Sequence, residues 1–196
     1  LGTRVLDLTR ILAGPLCAQM LGDMGAEVLK VEPPGAGDDT RSWGPPFAGT
    51  ESAYFLGINR NKRSITLNMA EKAGQDILAE LIQKCDVLVE NFKAGTLEKW
   101  GFTNKWLEQN APRVVRCSIT GYGTDGPKGG LPGYDFILQA ESGLMSICGE
   151  TDGDPMKYGV AIVDVTTGLL ACNSILAALN ARHASGLGQH VEVSLY

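Results

Sequence analysis

Short apolar runs of strand length alternate with stretches of helical period along most of the chain, and this alternation restricts the fold more than any other feature. Strands are expected at "RVLDL" (4–8), "EVLKVE" (27–32), "RSITLN" (63–68), "DVLVE" (86–90), "RVVRCSI" (113–119) and in the closing "HVEVSLY". Between them, Leu16, Met20, Leu21 and Met24 recur at helical spacing over 15–25, and Ile77, Leu78, Leu81 and Ile82 do so over 71–84. Asn68 followed by Glu71 resembles a capping box for the second of these helices. Thr103 is placed to cap a short helix that stops before Pro112. A helix over 134–145 follows the segment "TGYGTDGPKGGLPG" (120–133), and Asp164 opens a long helix that "GLG" (186–188) ends. Residues 33–50, rich in proline and glycine, are expected to be irregular. Strands alternating with helices argue for an α/β domain, a doubly wound parallel sheet covered on both faces. Ligands in such sheets sit beyond the carboxyl ends of the strands, so the loops after residues 8, 32, 90 and 119 are where to look for a site.

A chain of 196 residues can bury a core without disulfides or metals. With 17 basic against 22 acidic side chains its net charge is −5, which argues against a general grip on nucleic-acid phosphates. The 5 cysteines are scattered without a CxxC pair, so neither a disulfide framework nor a zinc site is expected, and a reducing compartment fits best. Only 2 histidines occur, His183 and His190, too few for a multi-histidine metal site. The first residues read as a strand rather than a signal peptide. The run 165–181 is interrupted by Thr166, Thr167, Gly168, Asn173, Ser174 and Asn180, and reads as a buried core helix rather than a membrane span.

Several residues invite two readings. "TRILAGP" (9–15) after the first strand lacks the G-x-G-x-x-G of a dinucleotide site, and no P-loop occurs anywhere, so Pro15 reads as a helix-start proline. Arg60, Lys62 and Arg63 could clamp a phosphate or simply form a solvated turn; Arg41 and Lys93 are further isolated cations. Glu90 and Asn91 end a strand, where Asn91 could face a ligand or cap a turn. The glycines between "GYG" (121–123) and "GYD" (133–135) would admit a ligand close to the backbone, although a surface loop is the plainer reading. Asp164 reads most simply as an N-cap, yet an ionised carboxylate at a helix start can also act as a nucleophile.

Taken together and in this order, "VLDLTRILAGP" (5–15), "LGDMGAEVLKVEPPGAGDDTR" (21–41), "NRNKRSITLN" (59–68), "CDVLVENF" (85–92), "SITGYG" (118–123), "GYD" (133–135), "VDVTTG" (163–168) and "GLGQHVEVSL" (186–195) make the chain resemble the family III CoA-transferases. The resemblance implies a Rossmann-like, mostly parallel sheet with helices on both faces. It implies that residues 1–196 are the N-terminal part of the large CoA-binding domain, with the small domain and the remainder beyond residue 196, in an interlocked homodimer. Coenzyme A or an acyl-CoA would be a substrate rather than a permanently bound cofactor, and the second partner a small carboxylic acid. No metal, nucleic acid or membrane is implied, and the compartment would be the cytoplasm or, behind a transit peptide, the mitochondrial matrix.

Carried over by position, Asp164 matches the family's catalytic aspartate. Ile11, Lys62, Asn91, Phe92, Lys99, Trp100 and Tyr134 match its CoA-binding segments, with Lys62 and Lys99 expected to neutralise CoA phosphates. Asp135 is expected to assist near the thioester. Leu12 stands where some members carry glutamine and Pro33 where some carry a cation, which weakens a formyl or oxalate assignment. The runs 34–52 and 142–155 look closest to the subgroup acting on dicarboxylates, so transfer from succinyl-CoA to an acid such as glutarate is expected. An α-methylacyl-CoA racemase is the nearest rival, but Tyr134 occupies the position where that branch needs a histidine. A CoA-binding domain without catalysis is the second, and an NAD-dependent oxidoreductase falls with the missing glycine fingerprint.

Overall fold

The computed structural model describes residues 2–196; Leu1 lies outside the described residues. The strands are β1 (Arg4–Asp7), β2 (Glu27–Glu32), β3 (Phe47–Ala48), β4 (Glu51–Ser52), β5 (Lys62–Thr66), β6 (Val87–Glu90), β7 (Val115–Thr120) and β8 (His190–Ser194). The helices are α1 (Ala13–Asp23), α2 (Ala53–Asn59), α3 (Lys72–Lys84), α4 (Thr96–Lys99), α5 (Asn104–Asn110), α6 (Asp135–Glu141) and α7 (Ile162–Ser185). Six strands form one sheet in the order β5-β2-β1-β6-β7-β8, and every pairing in it is parallel. Apart from the small β3–β4 hairpin, this is the doubly wound order of a Rossmann domain, with its switch point between β1 and β6.

Alternation along the strands sorts the core into two layers. Val5, Val87, Val89, Val115 and Cys117 face Cys17 and Leu21 of α1 and Ala171, Cys172 and Ile175 of α7. Leu6, Leu8, Val31 and Leu88 face the opposite way, onto Leu78 and Ile82 of α3, Leu97 of α4 and Leu107 of α5. Helices therefore cover both faces, as the sequence pattern requires of a parallel sheet.

Several expectations shift. The helix of 71–84 begins at Lys72, and Asn68 forms a turn instead of a cap: its Oδ1 accepts from Ala70 N at 3.2 Å, and its amide reaches Glu71 at 2.9 Å. The segment 33–50 is not wholly irregular: it holds a 3-10 turn (Asp39–Ser42) and β3, and it is followed by β4 and α2, whose start is capped by Ser52 accepting from Phe55 N at 3.2 Å. The helix over 134–145 is broken at Gly143, whose φ of 81° ends it before a 3-10 turn. Thr103 caps α5 as expected, accepting from Trp106 N at 3.1 Å.

The long helix α7 differs more. It starts at Ile162, two residues before Asp164, and it is not buried all round. Thr167, Gly168, Ala171, Cys172, Ile175 and Ala178 line its packed stripe, while Leu169, Leu170 and Leu176 are exposed. By length and composition α7 is apolar enough to cross a membrane.

Candidate active site

The β1–α1 and β6–α4 loops flank the switch point and form one side of a cleft of about 150 Å³. The glycine-rich segment also lines it, through Thr120, Gly121 and Gly130 to Tyr134, as does Asp164. That segment thus lines this cleft rather than standing free on the surface. Its two ends meet backbone to backbone: a Cβ on Gly121 would lie 2.3 Å from Gly133 N. No side chain fits there.

The β1–α1 loop is tied down residue by residue. Asp7 accepts from the backbone and hydroxyl of Thr9, at 2.9 and 2.5 Å. Asn91 accepts from Arg10 N at 3.0 Å and donates to Arg10 O at 2.8 Å, stitching the loop to the end of β6. Ile11 N donates to Asp38 Oδ1 at 3.4 Å. Ile11 itself has φ of 71°, a left-handed conformation that a β-branched side chain rarely adopts, and it lines the cleft.

Asp164 sits in the first turn of α7 but does not cap it. The cap comes from Asp135 on α6, whose Oδ1 accepts from Val163 N at 2.7 Å and Asp164 N at 3.1 Å. Gln139, one turn further along α6, is fully buried; its Oε1 accepts from Tyr158 N at 2.7 Å and secures the approach to α7. Gly168, one turn after Asp164, packs against the start of α1: a Cβ there would fall 2.7 Å from Ala13 O. The small residue lets the two helix starts converge. Burial, and then the Asp135 carboxylate, push the Asp164 carboxyl up to about 6, with the Ala13 N–H pulling partly back. Desolvation outweighs the amide donor at this helix start, so the carboxyl is raised rather than lowered. The result is a carboxylate still largely ionised at neutral pH but more basic than an ordinary aspartate. Nearby Tyr54 on α2 is pushed up to about 12 by burial and by Asp164, Asp135 and Asp38.

The residues singled out by resemblance separate into groups. Ile11, Asn91, Phe92, Tyr134 and Asp164 converge on the cleft. Tyr134 is 64% exposed at its mouth. Trp100 stands behind Phe92, edge-on with ring centres 5.3 Å apart, and supports the loop rather than lining the cleft. Lys99 is an exposed cation at the end of α4, and Lys93, which the sequence marked only as an isolated cation, lines the cleft.

Lys62 does not fit its expected role and is the main correction. An ammonium has three N–H donors, and those of Lys62 go to Asp7 Oδ2, Pro15 O and Asn59 Oδ1, each at 2.8 Å. Its side chain is 2% exposed, so nothing remains to meet a CoA phosphate. Its neighbours do not form a clamp either: Arg60 pairs with Asp23, and Arg63 with Glu27 at 3.4 Å. Glu90 turns away from the cleft, buried against Arg116 at 3.0 Å. Glu32 ends β2, where a dinucleotide site would hold a ribose, but Arg41 takes both its oxygens at 2.7 Å. Neither His183 nor His190 lines the cleft.

The fold and cleft define a doubly wound α/β domain with an open cleft at its switch point beside a basic carboxylate. Sequence comparison matches residues 1–196 to CoA-transferase family III, and the chain belongs to that family. It is 53% identical over 194 residues to the succinyl-CoA:glutarate CoA-transferase of Mus musculus, covering 99% of this chain and 44% of that protein. It is 46% identical over 200 residues to the succinate–glutarate CoA-transferase of Agrobacterium fabrum, covering 99% of this chain and 50% of that one. The crystal structure of a CAIB/BAIF family protein from Brucella suis superposes with a TM-score of 0.94 at 44% identity, covering 99% of this chain and 52% of that one. The chain therefore spans about half the length of these relatives.

Proposed function

We propose that the protein carrying this chain is a CoA-transferase that moves CoA from succinyl-CoA to a dicarboxylic acid such as glutarate, with Asp164 as the covalent carrier. The observation that bears most weight is the place of Asp164, a carboxylate lifted to about 6 at the edge of a cleft beyond the sheet's switch point. The names of the relatives supply the substrate class.

In this reading an Asp164 oxygen attacks the thioester carbonyl of succinyl-CoA. The C–S bond breaks, CoA leaves as thiolate, and a mixed anhydride remains on the side chain. The thiolate attacks the aspartyl carbonyl, expels succinate and forms an aspartyl-CoA thioester. A glutarate carboxylate then displaces the thiolate, which attacks the new anhydride at its glutaryl carbonyl and leaves as glutaryl-CoA. Asp164 returns as carboxylate. A covalent carrier divides one hard exchange into easier steps and conserves the thioester's energy. A pKa near the working pH makes the carboxylate as nucleophilic as it can be while it remains ionised. Phe92 and Ile11 would enclose the acyl-CoA, and Lys93 and Lys99 supply cations for its phosphates.

The test is incubation of the full-length protein with succinyl-CoA and hydroxylamine, followed by peptide mass spectrometry. A hydroxamate at Asp164 is expected. An unmodified Asp164 in protein that demonstrably binds CoA would remove the covalent route for this donor.

A further inference from the structure

Beneath the β1–α1 loop lie four charged side chains that the proposed chemistry does not use. Asp7 pairs with Lys62, and Lys30 pairs with Asp38 at 2.9 Å. The Lys30 and Asp38 side chains are each 1% exposed. Stability alone does not account for such a pair, because a buried ion pair is often no better than well-packed apolar residues in its place. Its remaining bonds are more telling. Lys30 Nζ donates to Thr9 O at 2.7 Å. Asp38 Oδ1 accepts from Ile11 N, and also from Thr40 N at 3.0 Å and Thr40 Oγ1 at 2.8 Å. Asp38 is itself anchored, its N–H donating to Glu32 at 2.9 Å. The pair thus grips the loop on both sides of Arg10, which Asn91 holds independently. Ile11, at φ of 71°, is the residue with most reason to spring away, and its release would swing Leu12 and Ala13, which line the cleft together with Asp164.

We infer that the buried Lys30–Asp38 pair is a positioning device, which holds Ile11 in its left-handed conformation and so sets the start of α1 in the cleft beside Asp164. The inference deepens the reading of Asp164 as the reactive carboxylate and rests on it. Neither Lys30 nor Asp38 touches the cleft, so both act through Ile11.

Lys30→Met alone would strand a buried carboxylate and risks unfolding the protein. The informative variant is Lys30→Met/Asp38→Ser in the full-length protein. The serine hydroxyl still serves Thr40 N two residues on, as in an ST turn, but is too short to hold Ile11. Peptide-resolved amide exchange over residues 8–13 is expected to quicken, whether or not the protein is a CoA-transferase. CoA exchange between succinyl-CoA and glutarate is expected to lose roughly tenfold in kcat, the order of an L-residue's preference for leaving the left-handed region, with KM changing less. Adding Ile11→Gly should restore several-fold of kcat, because glycine adopts that conformation freely, while KM for acyl-CoA rises with the lost side chain. Unchanged amide exchange, unchanged kcat, or no recovery with Ile11→Gly would each overturn the inference. A wild-type protein that exchanges no CoA would instead overturn the functional reading and leave the amide-exchange arm standing.

Discussion

Replacing Asp164 by asparagine should stabilise the protein while abolishing its chemistry, and the gain should depend on pH. Burial and Asp135 raise the Asp164 carboxyl to about 6, against about 3.9 in an unfolded chain. The folded protein therefore holds this proton more tightly than the unfolded chain does, so ionisation works against folding. The penalty is absent below about pH 4, grows from there to about pH 6 and is complete above it. Two units at 1.36 kcal/mol each set a ceiling of about 3 kcal/mol. Screening at this partly solvated cleft reduces the expectation to about 1–2 kcal/mol. Asparagine is nearly the same shape and carries no charge at any pH. Urea or thermal unfolding of both proteins, at pH 4.5 and 7.5 and one protein concentration, reads the difference. The variant should exceed the wild type by less than about 1 kcal/mol at pH 4.5, where the penalty is only partly developed, and by more at pH 7.5. A destabilised variant, or an equal difference at both pH values, would refute the argument that Asp164 is held at a cost to the fold.

The same pKa predicts that trapping of Asp164 by succinyl-CoA and hydroxylamine rises with pH through a midpoint near 6 and levels off above; a midpoint near 4 would remove the role of burial and Asp135. Asn91→Ala breaks both bonds to Arg10, and kcat/KM for acyl-CoA should fall by roughly a factor of ten, from about 1–2 kcal/mol of lost loop restraint; an unchanged value would show that the stitch is dispensable. Lys62→Met leaves buried Asp7 without its main cation, so unfolding free energy should drop by about 3–5 kcal/mol. A folded variant of normal stability with a raised KM for acyl-CoA would restore the phosphate role that the structure takes from Lys62. Gly168→Ala forces a methyl against Ala13 O, and about 1–3 kcal/mol of stability should be lost as α1 and α7 part, together with reactivity at Asp164, measured by urea midpoint and by trapping.

The sheet was legible because strand burial is a local property. Val87, Leu88 and Val89 announce a strand buried on both faces whatever surrounds them. The ends of elements were less so. Asp164 looked like the start of its helix because caps are usually supplied within a few residues, but here the cap is Asp135, 29 positions earlier in the chain. The short helix α2 was hidden by the prolines and glycines before it, and its stability comes from packing rather than propensity.

Order along the chain and the alternation of apolar residues determined the doubly wound class and the loops where a ligand would sit, since periodicity and chain connectivity leave few other arrangements. The motifs nominated Asp164 and its companions. What each side chain does there was decided only by tertiary structure. Lys62 lies 55 positions from Asp7, and only folding brings the two together and removes that ammonium from any ligand. The basicity of Asp164 likewise arises from burial and from Asp135 on another helix. Charge and spacing are written in the sequence, whereas desolvation and partnership depend on what the folded chain places within a few ångströms.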